Sequence, residues 1–89
     1  ETSYVALLKR EGRPCMGRKL GEEAVEAVVA ALSGSDEELV GEAADVLFHL
    51  MVLLADRDIA LADVLAELDR REGVSGIEEK ASREESHAD

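Results

Sequence analysis

One segment in the middle of the chain is apolar on nearly every side of a helix. Residues 36–55 begin with acidic residues and then consist mostly of Leu, Val, Ala, Phe and Met. Apolar and polar positions do not alternate in this segment. Such a helix requires cover on several sides, yet a chain of 89 residues buries only a modest core by itself. The pattern predicts an all-α fold, an antiparallel helix bundle whose core is completed by homodimerisation.

Turn signals divide the chain into four helical segments. Gly12 ends the first segment, and a Ser-Gly-Ser turn at residues 33–35 separates the second from the third. Ser35 and Glu38 have the spacing of a capping box, which predicts the start of the third helix. The predicted helices span residues 3–11, 14–32, 36–55 and 61–71.

The end of the chain differs in composition from the rest. Residues 74–89 are polar apart from Val74 and Ile77, which we expect to dock locally. We therefore expect one all-α domain over residues 1–73, followed by a partly docked polar tail over residues 74–89.

Charge and composition restrict the cellular setting and the partners. The net charge of −11 argues against binding to nucleic acid or to an anionic membrane surface. The lone cysteine, Cys15, is typical of a reducing environment, so we expect a cytoplasmic protein. Aromatic residues make up 2% of the chain, which leaves Tyr4 and Phe48 as the candidates for stacking against a base.

Acidic residues recur at helical spacing in the second and third predicted helices. Glu22, Glu23 and Glu26 share one flank, because successive helical residues turn by about 100°. Glu42 and Asp45 are three residues apart on the third helix. Like charges at such spacings cost roughly a few tenths of a kcal/mol each. We also expect Asp45 to be partly buried, because apolar residues surround it.

The turn at residues 33–35 brings the two acidic groups to a similar height in an antiparallel hairpin. A cation would make this convergence favourable, and an all-oxygen ligand set suits Mg²⁺, with Mn²⁺ as an alternative. His49 lies four residues beyond Asp45. We expect His49 to support the ligands through hydrogen bonds, because hard ions prefer oxygen donors. The predicted metal ligands are Glu23, Glu26, Glu42 and Asp45.

Basic residues are concentrated just upstream of the acidic group. Five of the ten fall within eleven positions, namely Lys9, Arg10, Arg13, Arg18 and Lys19. From the residues alone, this cluster fits either a solvated surface patch or a phosphate site beside a metal site.

The motifs EEAVE and EAAD, separated by fifteen residues, resemble those of the all-α nucleoside triphosphate pyrophosphohydrolase (MazG-like) superfamily. Four longer stretches resemble the phosphoribosyl-ATP pyrophosphohydrolases of histidine biosynthesis and extend over nearly the whole chain. These stretches are SYVALL, RKLGEEAVE, EAADVLFHLMVLL and VLAELDRREGVSGIEEKASR. The resemblance implies Mg²⁺-dependent hydrolysis of phosphoribosyl-ATP to phosphoribosyl-AMP and pyrophosphate by a homodimer.

The resemblance also implies roles for individual residues. The four predicted metal ligands match the metal-binding positions of the family, and Glu22 matches the remaining glutamate of the first motif. Our hypothesis is that Glu22 accepts a proton from the attacking water. Arg18 and Lys19 stand where basic residues precede the motif in the family, and we expect them to bind substrate phosphates.

Two other functions stay open on the sequence alone. A housekeeping pyrophosphohydrolase acting on non-standard nucleoside triphosphates would use the same acidic motif. An acidic helical interaction module without enzymatic activity would show neither stabilisation by divalent ions nor release of pyrophosphate.

Overall fold

The computed structural model describes residues 3–73 and residue 83, and these residues contain α-helices and no β-strand. The predicted all-α class is confirmed, and the ends of the predicted helices lie within one or two residues of those observed. The helices are α1 (Tyr4–Glu11), α2 (Arg13–Ser33), α3 (Asp36–Asp56) and α4 (Leu61–Glu72).

Local signals define the junction between α1 and α2. The Ser3 hydroxyl accepts a hydrogen bond from the Ala6 N–H at 3.1 Å and so caps the start of α1. Gly12 has a φ of 97° and is both the C-cap residue of α1 and the N-cap residue of α2. A side chain would be strained at this φ, so glycine suits the junction. Pro14 lies in the first turn of α2, where its missing N–H costs no helical hydrogen bond.

The α2–α3 pair forms an antiparallel hairpin with side-chain hydrogen bonds near both ends. At the closed end, the predicted capping box is present. The Glu38 N–H donates to the Ser35 hydroxyl at 3.1 Å, and the Ser35 N–H donates to the Glu38 carboxylate at 3.0 Å. These bonds lower the pKa of Glu38. At the open end, the Arg13 guanidinium donates to the Asp56 carboxylate at 2.6 Å. The first contact defines where α3 begins, and the second joins α2 to α3.

Each of the first three helices contributes a residue that is buried. Leu8 of α1 and Met16 of α2 are almost completely inaccessible, and Ala30 and His49 are also buried. The core is therefore small, as expected for this chain length.

None of the apolar residues of α3 is fully buried in the single chain, so the expected burial on several sides is only partial there. Val40 is 69% exposed, and Leu47 and Met51 are also exposed. The prediction that Asp45 is partly buried is wrong, since its side chain is exposed. The physical reason is that the apolar neighbours of Asp45 along α3 do not enclose it without cover from outside the hairpin.

The chain divides into two compact units, Glu1–Ile59 and Ala60–Asp89. The first contains α1 to α3. In the second, Glu67 of α4 accepts hydrogen bonds from Arg70 and Arg71, which lower its pKa to about 2. The expected domain over residues 1–73 and tail over residues 74–89 stay predictions, because Val74 and Ile77 lie outside the described residues. Within residues 3–73, none of the helices has the length and apolarity that crossing a membrane demands.

The capping box gives a direct test of the hairpin. Ser35→Ala removes the acceptor for the Glu38 N–H, and we expect the free energy of unfolding to fall by about 1 kcal/mol in urea denaturation. Ser33→Ala is the control, because its hydroxyl only donates to the Val29 carbonyl within α2. Equal losses from the two substitutions would contradict the capping role.

Candidate metal centre

Three carboxylates from two helices converge on the flank of the α2–α3 hairpin. Glu23 and Glu26 project from α2, one turn apart, and Glu42 projects from α3. One oxygen from each of the three lies within 4.8 Å of the others. The structure thus brings together three of the four residues predicted to bind metal.

The pKa of Glu42 reflects the close approach of several carboxylates at this site. Burial raises the pKa of Glu42, and a hydrogen bond with Glu26 raises it further. Two carboxyl groups can share a hydrogen bond only when one of them carries a proton. The negative charges of Glu26, Asp45 and Glu23 add to the upward shift. Glu42 therefore binds a proton more readily than an isolated glutamate, and a cation would relieve the same repulsion.

Glu23 provides a separate sign that the cluster is incomplete. Its Oε2 is buried and has no hydrogen-bond partner among the described residues. A buried polar oxygen without a partner is costly, and each such atom in a folded protein requires an explanation. A hard divalent cation would satisfy Oε2, and the all-oxygen donor set fits Mg²⁺ or Mn²⁺.

Asp45 lies beside the cluster rather than inside it. Its charge contributes to the raised pKa of Glu42, which places the two groups near each other. Asp45 also lines a groove of about 710 Å³ between the helices. Side chains of both helices share this lining, including those of Val25, Glu26, Val29, Ala30, Glu38 and Glu42. The carboxylates thus border an open groove with an apolar component.

Glu22 faces basic residues of α2 instead of the three-carboxylate cluster. Its carboxylate accepts from the Arg18 guanidinium at 3.3 Å and lies 3.5 Å from the Lys19 ammonium. The negative charge that Tyr4 carries when ionised raises the pKa of Lys19 most, and the hydrogen bond and charge of Glu22 raise it further. The structure does not bring Glu22 into the three-carboxylate cluster, and its suggested role as proton acceptor stays a prediction.

His49 is the buried polar residue of the described core, with 5% of its surface exposed. Its Nδ1 lies 2.7 Å from the Asp45 backbone carbonyl, and its Nε2 lies 2.8 Å from the Tyr4 hydroxyl. His49 therefore contacts the backbone of a predicted ligand and none of the clustered carboxylates. Its predicted role in supporting the ligands is compatible with this position.

Sequence reasoning missed Tyr4 as a partner of His49, because the two are 45 residues apart. The available signal was that Tyr4 is the single tyrosine of the chain and lies in the SYVALL stretch. Tyr4 and Phe48 stay the candidates for stacking on a base. Both are exposed, and their rings lie against each other at a centroid distance of 5.9 Å.

Comparison with known proteins finds one matching family profile and several relatives of high sequence identity. The family profile described as phosphoribosyl-ATP pyrophosphohydrolase matches residues 1–72. A protein of Erythrobacter litoralis is 64% identical over 83 residues, covering 93% of this chain and 80% of the relative. A protein of Rhizorhabdus wittichii is 63% identical, covering 92% of this chain and 77% of the relative.

A third relative, from Novosphingobium aromaticivorans, is 62% identical over 81 residues, covering 91% of this chain and 76% of the relative. All three relatives carry the name phosphoribosyl-ATP pyrophosphatase. The family profile and the relatives agree, and both cover most of the chain. The chain therefore belongs to the phosphoribosyl-ATP pyrophosphohydrolase family.

Proposed function

We propose that this chain hydrolyses phosphoribosyl-ATP to phosphoribosyl-AMP and pyrophosphate, with the help of a divalent cation. The observation that carries the proposal is the convergence of Glu23, Glu26 and Glu42 within 4.8 Å, in a chain of this family. The reaction breaks a phosphoanhydride bond, so the main tasks of the protein are to position the phosphates and to neutralise their charge.

The three clustered carboxylates would hold the cation, with Asp45 beside them at the edge of the groove. Mg²⁺ or Mn²⁺ would supply positive charge for the phosphate oxygens and would make a water molecule easier to deprotonate. The buried Oε2 of Glu23 and the raised pKa of Glu42 support this assignment, because both show carboxylates that lack enough positive charge.

The basic side chains that precede the motif would bind the remaining phosphate oxygens. Arg18 and Lys19 lie on α2 within one turn of Glu22, which pairs with both. Ion pairs this exposed are weak, so they can be exchanged for stronger contacts with phosphate groups. This exchange would release the Glu22 carboxylate, which we propose as the acceptor of the proton from the attacking water.

The groove beside the carboxylates would hold the rest of the nucleotide. Its volume of about 710 Å³ lies within the range of roughly 300–1,000 Å³ that is usual for small-molecule sites. The groove is lined by Val25 and Val29 on α2 and by several carboxylates, which together with a cation suits a ligand with an apolar base and anionic phosphates.

A second copy of the chain would cover the apolar face left open on the hairpin. On α3, Val40, Ala44, Leu47 and Met51 follow one another at spacings of four, three and four residues. This spacing is typical of a seam between helices, and all four side chains are exposed. We therefore propose a homodimer in which α2 and α3 of two copies form one bundle. We also keep cytoplasmic localisation as a proposal.

The activity itself is the first test. We expect the wild type to release pyrophosphate from phosphoribosyl-ATP in the presence of Mg²⁺. Glu26→Gln should reduce turnover by about 100-fold, because even the loss of residues that only support metal ligands costs roughly 10- to 100-fold in metal affinity or activity. Glu37→Gln is the matched control, since Glu37 lies on α3 outside the acidic cluster and should keep nearly full turnover.

A panel of non-standard nucleoside triphosphates completes this experiment. Faster turnover of a triphosphate than of phosphoribosyl-ATP would favour the housekeeping alternative. A complete absence of pyrophosphate release, together with no effect of Mg²⁺ on stability, would favour the interaction module.

Glu42 links metal binding to stability and pH. The folded state raises the pKa of Glu42 above the ordinary value of 4.5, so the folded state binds a proton more readily than the unfolded chain. In the metal-free protein, the contribution of Glu42 to stability should therefore decrease as pH rises from 4.5 through the raised pKa. Glu42→Gln should abolish this decrease.

Thermal melts measure both effects in one experiment. In EDTA at neutral pH, we expect Glu42→Gln to melt at a higher temperature than the wild type, because the repulsion is removed. The same variant should lose most of the stabilisation by millimolar Mg²⁺, and Asp45→Asn should also reduce it. Glu37→Gln should keep the wild-type Mg²⁺ shift. A Glu42→Gln variant that is less stable in EDTA would contradict this account.

The oligomeric state tests the apolar seam. We expect the wild type to sediment as a dimer at micromolar concentration and Leu47→Glu to sediment as a monomer, because the new charge would have to be buried. Leu7→Glu is the control, as Leu7 is an exposed leucine on α1 outside the seam. A monomeric wild type would refute the proposed dimer and leave the metal site to be tested separately.

A further inference from the structure

Gly41 lies in one wall of the groove between α2 and α3. The α2 wall forms a helical stripe with spacings of one, three, one and three residues, made of Val25, Glu26, Val29, Ala30 and Ser33. The α3 wall forms a second stripe, made of Glu38, Gly41, Glu42 and Asp45. Three of these four α3 residues carry a carboxylate, so Gly41 is a gap in the otherwise acidic α3 wall of the described groove.

The usual structural reasons for a glycine do not apply at Gly41. The residue lies inside α3, and within the described part of the chain the glycine with a positive φ is Gly12. An alanine can therefore adopt the backbone conformation of Gly41. A Cβ atom at this position would have no neighbour within 4 Å outside its own stretch of helix, so close packing in the chain does not require glycine. Glycine also makes a helix interior less stable than alanine would.

The open space at Gly41 belongs to the groove. Gly17 on α2 is also exposed and has open space around its Cβ position, so open space by itself does not mark a site. Gly41 differs because it lines the groove, about one helical turn from Glu38 on one side and from Asp45 on the other. At Gly41 an uncharged part of a ligand can approach the α3 backbone between the carboxylates.

We propose that Gly41 is a specificity-determining residue, whose missing side chain leaves room in the groove for the base and ribose of the nucleotide. The inference rests on the proposed function, in which the clustered carboxylates and their cation hold the phosphates. The nucleoside then lies along the apolar part of the groove, where Val25 and Val29 form the α2 wall. A side chain at Gly41 would occupy this space without removing any group that holds the cation or the phosphates.

Gly41→Ala separates stability from substrate binding. Because alanine favours a helix interior, we expect the variant to melt about 4 °C higher than the wild type. The added methyl group should nevertheless raise the KM for phosphoribosyl-ATP about tenfold, the lower end of the range for one methylene group in a substrate pocket. We expect kcat to change less than twofold. A lower melting temperature would overturn the proposal, because packing would then require the glycine.

A longer side chain should have a larger effect. We expect Gly41→Gln to raise the KM more than Gly41→Ala, since the glutamine side chain fills more of the groove. Gly17→Ala and Gly17→Gln are the matched controls, because Gly17 is an exposed helical glycine outside the described groove lining. Both controls should leave the KM unchanged. An unchanged KM in the Gly41 variants, or an equal rise in the Gly17 variants, would overturn the proposal.

Calorimetry identifies the part of the substrate that needs the space. Inorganic tripolyphosphate with Mg²⁺ supplies phosphates without a base or ribose, so Gly41→Gln should bind it within twofold of the wild-type affinity. Weaker binding would overturn the proposal, because the substitution would then act on the metal and phosphate site. Gly41→Gln should also sediment like the wild type. A smaller species would overturn the proposal, because the space at Gly41 would then belong to a contact between copies of the chain.

A failed function would be recognised separately. If the wild type releases no pyrophosphate, the proposed function fails, and the calorimetric affinity for ATP with Mg²⁺ replaces the KM in the same comparison. ATP binding that weakens in Gly41→Gln and not in Gly17→Gln would support the role of Gly41. ATP binding that is equal in the wild type and in Gly41→Gln, or absent from both, would overturn it.

Discussion

The close approach of carboxylates across the α2–α3 hairpin is the constraint on which the proposed function depends. Glu23, Glu26 and Glu42 lie within 4.8 Å of one another, and the raised pKa of Glu42 is the direct consequence. The Ser35 capping box defines the start of α3 beyond the turn, and the contact of Arg13 with Asp56 joins the two helices at the open end of the hairpin. The scaffold thus maintains an excess of negative charge that a divalent cation can neutralise.

The same two helices carry the acidic cluster and a large exposed apolar surface. The core that these helices form with α1 is small, because few described residues beyond Leu8 of α1 and Met16 of α2 are buried. Small domains draw additional stability from disulfides, bound metals or association, and the seam on α3 would offer a surface for the proposed association. The proposed dimer and the proposed metal site would therefore depend on one hairpin, so changes in one can alter the other.

Local patterns allowed much of the hairpin to be predicted. Gly12 and the Ser35–Glu38 pair marked helix ends, because caps and turns depend on residues close in sequence. The convergence of acids followed from their spacing on two helices joined by a short turn. Three features were not predicted correctly or at all. They are the exposure of Asp45, the pairing of Glu22 with basic residues, and the hydrogen bond between Tyr4 and His49.

By itself, the sequence determined which residues share a helix and which flank they occupy, because helical periodicity is a local property of the chain. It also determined the family, through motifs that extend over most of its length. Only the tertiary structure decided which carboxylates approach one another and what encloses His49. It also decided that Glu22 pairs with basic side chains of its own helix. Those outcomes depend on side-chain rotamers and on the distance between helices. Both are determined jointly by residues that are far apart in sequence.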